Sequence, residues 1–162
     1  MIPGFQRIGH GGASALAPGN TLASFDAALA VGIDMIEFDV RRWSGELVLA
    51  HTILHARRGG NVGLREALTH LSAPAFSRVA LNVDVKHIGA ESDLLDELRR
   101  THLLERTLIS SQVPAVLNRL RELDPEVRLG ISVGGRIARL SRRWGGWRAQ
   151  VLAGLAAQRW DA

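Results

Sequence analysis

Alternating apolar and ionisable positions mark two predicted β-strands that each have one apolar face and one polar face. In residues 35–41, Glu37 and Asp39 alternate with large apolar side chains. Successive side chains on a strand point to opposite faces, so the two carboxylates share one face. Residues 79–87 repeat the pattern, with Asp84 on one face and valine and leucine side chains on the other. The apolar faces predict a covering layer of helices. The acidic face is either solvated or built around a cation.

The remaining pattern alternates between strand and helix periods. The predicted strands are 5–9, 35–41, 47–51, 79–87, 107–111 and 127–132, and the predicted helices are 20–32, 64–71, 91–101 and 114–123, with a loop at 56–63. Asn20 is the predicted N-cap of the first helix. The turn at 43–46 is too short to cross over, so 47–51 is expected to return antiparallel. This predicts an α/β fold with about five parallel strands and one antiparallel hairpin strand. It is built as a barrel or as an open doubly wound sheet.

Composition limits the class of protein. The chain has 162 residues, 46% of them hydrophobic, and no cysteine. This size and apolar content predict one folded domain. The absence of cysteine is typical of a reducing compartment, and no secretory signal pattern opens the sequence, so a cytoplasmic location is expected. No apolar run reaches the length of a membrane span.

The positive charge lies mainly in the last segment. Residues 134–162 carry six arginines against Asp161, while residues 1–133 are close to neutral. A nearly neutral body argues against nucleic-acid binding. Tryptophans among the arginines of 136–160 could contact an anionic membrane surface. Gly145-Gly146 interrupts that face, however, and we favour an outer helix of the fold.

Six ionisable residues fall on inner strand faces or at strand ends: His10, Glu37, Asp39, His51, Asp84 and Lys86. Three carboxylates are suited to Mg²⁺ or Ca²⁺, which prefer oxygen ligands. Two histidines can exchange protons near neutral pH. Lys86, the only lysine, can face an anionic group. Together they suit metal-assisted hydrolysis of a phosphodiester.

Two alternatives remain open for these residues. The histidines can be ordinary surface residues, with Asp84 and Lys86 a simple ion pair. Alternatively, the glycine-rich turn at 9–12 could bind a dinucleotide, with Glu37 on the ribose. That second hypothesis lacks the third glycine of the fingerprint and leaves His51 without a role.

Several short motifs are similar, in order and spacing, to those of the glycerophosphodiester phosphodiesterase family. They are Gly9-His10-Gly11-Gly12, Ala17-Pro18-Gly19-Asn20-Thr21, Glu37-Phe38-Asp39-Val40, the strand ending at His51, Asp84-Val85-Lys86 and Ser110-Ser111. The resemblance implies a (β/α)₈ TIM-type barrel of the phospholipase-C-like superfamily. It also implies hydrolysis of small-molecule glycerophosphodiesters to glycerol 3-phosphate and an alcohol, with Mg²⁺ or Ca²⁺. By position, the resemblance makes His10 and His51 the acid–base pair, Glu37, Asp39 and Asp84 the metal ligands, and Lys86 the phosphate-side cation.

Four positions depart from the family pattern. Gly11 replaces an arginine and Gly19 a glutamate, a pair of changes that would compensate each other if those side chains normally pair. Thr52 replaces an aspartate, and Asp84 is one methylene shorter than glutamate. The first change removes a cation expected to bind phosphate.

The resemblance covers about residues 5–133, so the last three barrel strands have no counterpart. We expect a single truncated barrel domain over 1–162, in which 134–162 is a basic segment rich in tryptophan and arginine. The alternatives are completion by another chain or oligomer, and a rearranged sheet. The alternative function is a catalytically inactive remnant that binds phosphate or a partner.

Overall fold

The computed structural model describes residues 6–133. The start of the first predicted strand and the predicted helical segment 136–160 lie outside the described residues. The described residues up to Gly130 belong to one compact unit.

The helices and strands follow the predicted alternation closely. They are β1 (Ile8–His10), α1 (Leu22–Ala30), β2 (Met35–Trp43), β3 (Glu46–Leu49), α2 (Ile53–Arg58), α3 (Leu64–Leu71), β4 (Ala80–Val85), α4 (Glu91–Arg100), β5 (Thr107–Ser111), α5 (Pro114–Leu123) and β6 (Arg128–Ile131). None of the helices within residues 6–133 combines the length and apolar character that crossing a membrane would require.

The strands lie side by side in chain order, β1-β2-β4-β5-β6, with β3 paired to β2. β1, β2, β4 and β5 are parallel, and β3 is antiparallel, as its short turn predicted. A doubly wound sheet reverses its strand order at a switch point, which the described strands do not do. The predicted α/β class is therefore confirmed, with a mostly parallel sheet that fits part of a TIM barrel.

The hydrophobic core lies between the sheet and its helices. Ile36, Phe38 and Val40 of β2 are fully buried and belong to one cluster with apolar residues of α1, α3, α4 and α5. The rings of Phe25 and Phe38 are 5.5 Å apart and tilted, an arrangement that aromatic pairs favour. This packing turns the apolar face of β2 outward to the helices. It leaves Glu37 and Asp39 on the inner face.

Two local predictions were wrong. Thr21, not Asn20, is the N-cap of α1. Its hydroxyl accepts a hydrogen bond from the Ser24 N–H, and the Ser24 hydroxyl accepts one from the Thr21 N–H. Residues 53–58, predicted to be partly loop, form α2. Thr52 caps this helix and Ala56 is fully buried. The glycines that suggested a loop begin only after the helix, where Gly59 takes a left-handed conformation.

Candidate functional site

Strand register brings three carboxylates together on the inner face. Asp39 of β2 lies opposite Asp84 of β4, and Glu37 is on the same face of β2. One oxygen from each carboxylate lies within 4.8 Å of the other two. Glu37 is 7% exposed, Asp39 1% and Asp84 6%. The alternative that the acidic face is solvated is therefore wrong. Such a cluster could hold a metal ion, because hard divalent cations prefer oxygen ligands.

Lys86 lies inside this acidic cluster. Its ammonium nitrogen is 2.6 Å from Asp39 Oδ1 and 2.6 Å from Asp84 Oδ2. Burial alone would lower the pKa of Lys86, but hydrogen bonds to the two aspartates raise it above its ordinary value. Burial would likewise raise the pKa of Asp39, yet hydrogen bonds from Lys86 and Asn20 bring it below the ordinary value. The buried charges therefore stabilise each other.

Glu37 is held by the first glycine-rich turn. The backbone N–H of Gly11 donates to Glu37 Oε2 at 3.0 Å. Burial raises the pKa of Glu37, and the neighbouring charge of Asp39 raises it further. The hydrogen bond from Gly11 opposes this rise, but the pKa stays above its ordinary value. A nucleotide-binding turn presents its backbone N–H groups to a phosphate. Here this N–H is used by the carboxylate, which argues against the dinucleotide hypothesis.

Unpartnered polar atoms next to the cluster indicate that it fits a cation. Among the described residues, Asp84 Oδ1, Asn82 Oδ1 and Ser110 Oγ are buried and have no hydrogen-bond partner. Asn82 lies opposite Glu37, and Ser110 lies opposite Asp84. Buried polar atoms are nearly always satisfied in folded proteins. A divalent cation with bound water would supply partners for these oxygens, and the donor set is the one that Mg²⁺ and Ca²⁺ prefer.

The two predicted histidines lie on either side of the acidic cluster. His51 Nδ1 is 3.2 Å from Asp39 Oδ2, and His10 Nε2 is 3.9 Å from Glu37 Oε2. Their ring centroids are 6.4 Å apart, so the two rings lie near each other beside the cluster. Because a carboxylate only accepts, it favours the His51 tautomer with its proton on Nδ1, which leaves Nε2 free to exchange a proton.

Asn20, missed as a site residue in the sequence, bridges a gap along one edge of β2. β1 pairs with residues up to Glu37, and β3 pairs only from Val40 onward. Between them, the Asn20 side chain accepts from the Asp39 N–H and donates to Asp39 Oδ2, both at 2.9 Å. Its amide thus takes the place of a neighbouring strand and fixes the Asp39 carboxylate. The positive φ of Asn20, 60°, shows that it is a turn residue and not a helix cap.

Replacing Asn20 with alanine is expected to lower the free energy of unfolding by about 1–3 kcal/mol, since the Asp39 N–H would be buried without a partner. Urea denaturation would measure the loss. Asn118→Ala, on the exposed face of α5, is the matched control and should change stability by less than about 0.5 kcal/mol. Equal stability of the two variants would contradict the bridging role.

Arg41 is a second residue that the sequence did not single out. Its guanidinium donates two hydrogen bonds to the backbone carbonyl of His51, at 3.2 and 3.1 Å. β3 ends at Leu49, so His51 lies just beyond the strand and not at its last position. Arg41 anchors this short extension. Its position two residues after Asp39, on the same face of β2, was the available signal.

The departures from the motif pattern have local structural counterparts. Gly11 and Gly19 lie against each other, with 3.4 Å between an ideal Cβ on Gly11 and the Gly19 Cα. The two changes are therefore neighbours in space. Thr52 accepts from the His55 N–H at the start of α2, a capping role that aspartate also performs.

Comparison with known proteins agrees with the motif pattern. Residues 10–53 match the model of the glycerophosphoryl diester phosphodiesterase family. This segment contains His10, Glu37, Asp39 and His51. The predicted family resemblance is confirmed. No curated protein sequence matches the chain.

Solved glycerophosphodiester phosphodiesterases share the fold. The enzyme from Agrobacterium tumefaciens is 24% identical with a TM-score of 0.65, over 77% of this chain and 65% of that one. The enzyme from Parabacteroides distasonis is 18% identical with a TM-score of 0.66, over 78% and 64%. An Oleispira antarctica phosphodiesterase, solved with the product sn-glycerol-3-phosphate, is 23% identical with a TM-score of 0.60, over 80% and 66%. The chain thus spans slightly less than two thirds of these relatives.

Proposed function

We propose that this chain hydrolyses glycerophosphodiesters to glycerol 3-phosphate and an alcohol, using Mg²⁺ or Ca²⁺. The observation that carries the proposal is the convergence of Glu37, Asp39 and Asp84 beside two imidazoles whose ring centroids are 6.4 Å apart. The match of residues 10–53 to the phosphodiesterase family supports the substrate class. The product bound to the Oleispira antarctica phosphodiesterase is the product proposed here.

The three carboxylates would hold the cation, which supplies charge neutralisation at the phosphoryl oxygens. In hydrolysis, a water oxygen bonds to phosphorus and the bond from phosphorus to the alcohol oxygen breaks. The water loses one proton and the departing alcohol gains one. His10 and His51 are proposed to be the groups that accept and donate these protons. Asp39 is proposed to orient His51 by accepting a hydrogen bond from its Nδ1–H.

Lys86 is proposed to have two positions in this cycle. Without a cation, its ammonium neutralises Asp39 and Asp84, as its 2.6 Å contacts indicate. If these carboxylates held a divalent cation, its charge would repel the ammonium, and Lys86 would then be available to the phosphate. This preserves the predicted phosphate-side role of Lys86. It also explains how three buried acids are tolerated before the metal binds.

The proposed partner is the small-molecule substrate, and nucleic acid is not expected to bind. The proposed location is the cytoplasm, on the ground that the sequence has no cysteine. Membrane contact through the basic segment 136–160 is not favoured. That segment lies outside the described residues.

Release of glycerol 3-phosphate from glycerophosphocholine tests the proposal directly. We expect release in the presence of Mg²⁺ or Ca²⁺, and none when a chelator removes the cation. Glu37→Gln should weaken cation binding, because a neutral amide replaces one anionic ligand. Calorimetric titration of the metal alone measures this without reference to activity. Metal binding without any release would favour the inactive remnant.

A further inference from the structure

A cavity adjoins the candidate active site on the His51 side. It has a volume of about 230 Å³ and lies between the start of α1, the end of β3 and the α2 region. His51 forms part of its wall and contacts Asp39, so the cavity lies next to the acidic cluster. The other lining residues used below include His55, Arg58 and Asn61.

This cavity is basic. His55 and Arg58 line it, and none of the described residues in its wall is acidic. Within residues 6–133, neither side chain forms an ion pair. A larger cavity of about 470 Å³ elsewhere in the chain shows the contrast, because its Arg42 and Arg65 are already paired with Asp93 and Glu97. The cavity beside His51 therefore carries positive charge that no described carboxylate balances.

Two glycines follow Arg58 in the wall of the cavity. Gly59 and Gly60 both have positive φ, 76° and 69°, and an added Cβ on either would meet nothing within 4 Å. The Asn61 side chain donates to the Ala56 carbonyl at 2.9 Å, which ties this turn back to α2. Gly59 and Gly60 therefore leave open space next to Arg58 in the wall of the cavity.

We propose that this cavity binds an anionic group on the alcohol portion of the substrate, and that the preferred substrates are glycerophosphodiesters whose alcohol carries a phosphate or a carboxylate. The inference rests on the proposed function. The bridging phosphate is placed at the acidic cluster, and the glycerol portion is uncharged. Only the alcohol can therefore bring a second negative charge to His55 and Arg58. Guanidinium groups pair with phosphates and carboxylates through two parallel hydrogen bonds.

Glycerophosphoinositol and glycerophosphoinositol 4-phosphate form a matched substrate pair, because they differ by one phosphate. We expect kcat/KM to be about tenfold higher for the phosphorylated substrate, the size of one charge-assisted hydrogen bond. Arg58→Gln should reduce this preference to nearly onefold, while Arg58→Lys should keep part of it. Arg57→Gln, on the same helix but outside the cavity wall, should leave the preference unchanged. Equal kcat/KM for the two substrates in the wild-type protein would overturn the proposal.

Binding separates failure of this inference from failure of the proposed function. If neither substrate is hydrolysed with any metal, inositol 1,4-bisphosphate serves as a binding probe that does not depend on hydrolysis. It should raise the melting temperature of the wild-type protein and of Arg57→Gln, and have a smaller effect on Arg58→Gln. Equal shifts in all three proteins would overturn the cavity proposal. Hydrolysis without substrate preference would leave the proposed function standing.

Discussion

Replacing His51 with alanine is expected to lower kcat/KM by about 10²–10⁴-fold, the usual contribution of a positioned acid or base. His51 is half exposed, and its Nδ1 lies 3.2 Å from Asp39. Alanine removes the proton-exchanging ring but leaves Asp39 hydrogen-bonded to Asn20. Folding and cation binding should therefore be preserved. Glycerol 3-phosphate release measures the loss.

The control for this experiment is a histidine outside the site. His102 is exposed and has φ 56°, so asparagine, which tolerates that conformation, is the suitable replacement. His102→Asn should keep wild-type activity. His10→Ala should reproduce the His51→Ala loss. An active His51→Ala protein with normal metal affinity would remove the imidazole pair from the mechanism.

Replacing Lys86 with methionine is expected to destabilise the metal-free protein by about 3–5 kcal/mol. Removal of one member of a buried ion pair leaves the remaining charges without compensation. Here Asp39 and Asp84 would face each other without the ammonium that lies 2.6 Å from each. A divalent cation should restore much of the loss. The increase in melting temperature on adding Ca²⁺ should thus be larger in Lys86→Met than in the wild type.

Stability at low pH offers a second measurement on the same variant. In the wild type the pKa of Asp39 is lowered, so its contribution is present above the ordinary pKa and lost as the pH falls through the lowered value. Without Lys86 the pKa of Asp39 is lowered less, so the stability that Asp39 contributes, and the part of it lost at low pH, should both be smaller. Lys86→Arg keeps a positive charge and is the control. Unchanged stability and an unchanged calcium response in Lys86→Met would exclude the proposed two positions of Lys86.

Asp39 and Asp84 show how far local pattern reasoning extends. Alternation along each strand is enough to predict that Glu37 and Asp39 share a face, because side-chain direction on a strand has a fixed period of two. It also predicts that Asp84 lies on the polar face of its strand, with the apolar residues on the other face. Alternation within one strand carries no information about which residue of the next strand lies beside it. The pairing of Asp39 with Asp84 depends on register.

Asn20 and Lys86 show where local reasoning fails. Asn20 is a residue type that often caps helices. Only the gap between β1 and β3 along β2 explains why its amide forms hydrogen bonds with Asp39. Lys86 was predicted to face an anionic substrate, and its contacts with two aspartates require both strands to be in place. The sequence did not predict α2, because the arginines and glycines that follow Ala56 indicated a loop.

The sequence by itself determined the alternation of strands and helices, the antiparallel hairpin, the family resemblance and the placement of Glu37 and Asp39 on one face of their strand. These follow from residue spacing, turn length and short motifs, all of which are local. Only the tertiary structure decided the strand order, the convergence of three carboxylates around Lys86 and the basic cavity beside His51. Those features arise from contacts between segments far apart in the chain, and local spacing cannot encode their distances.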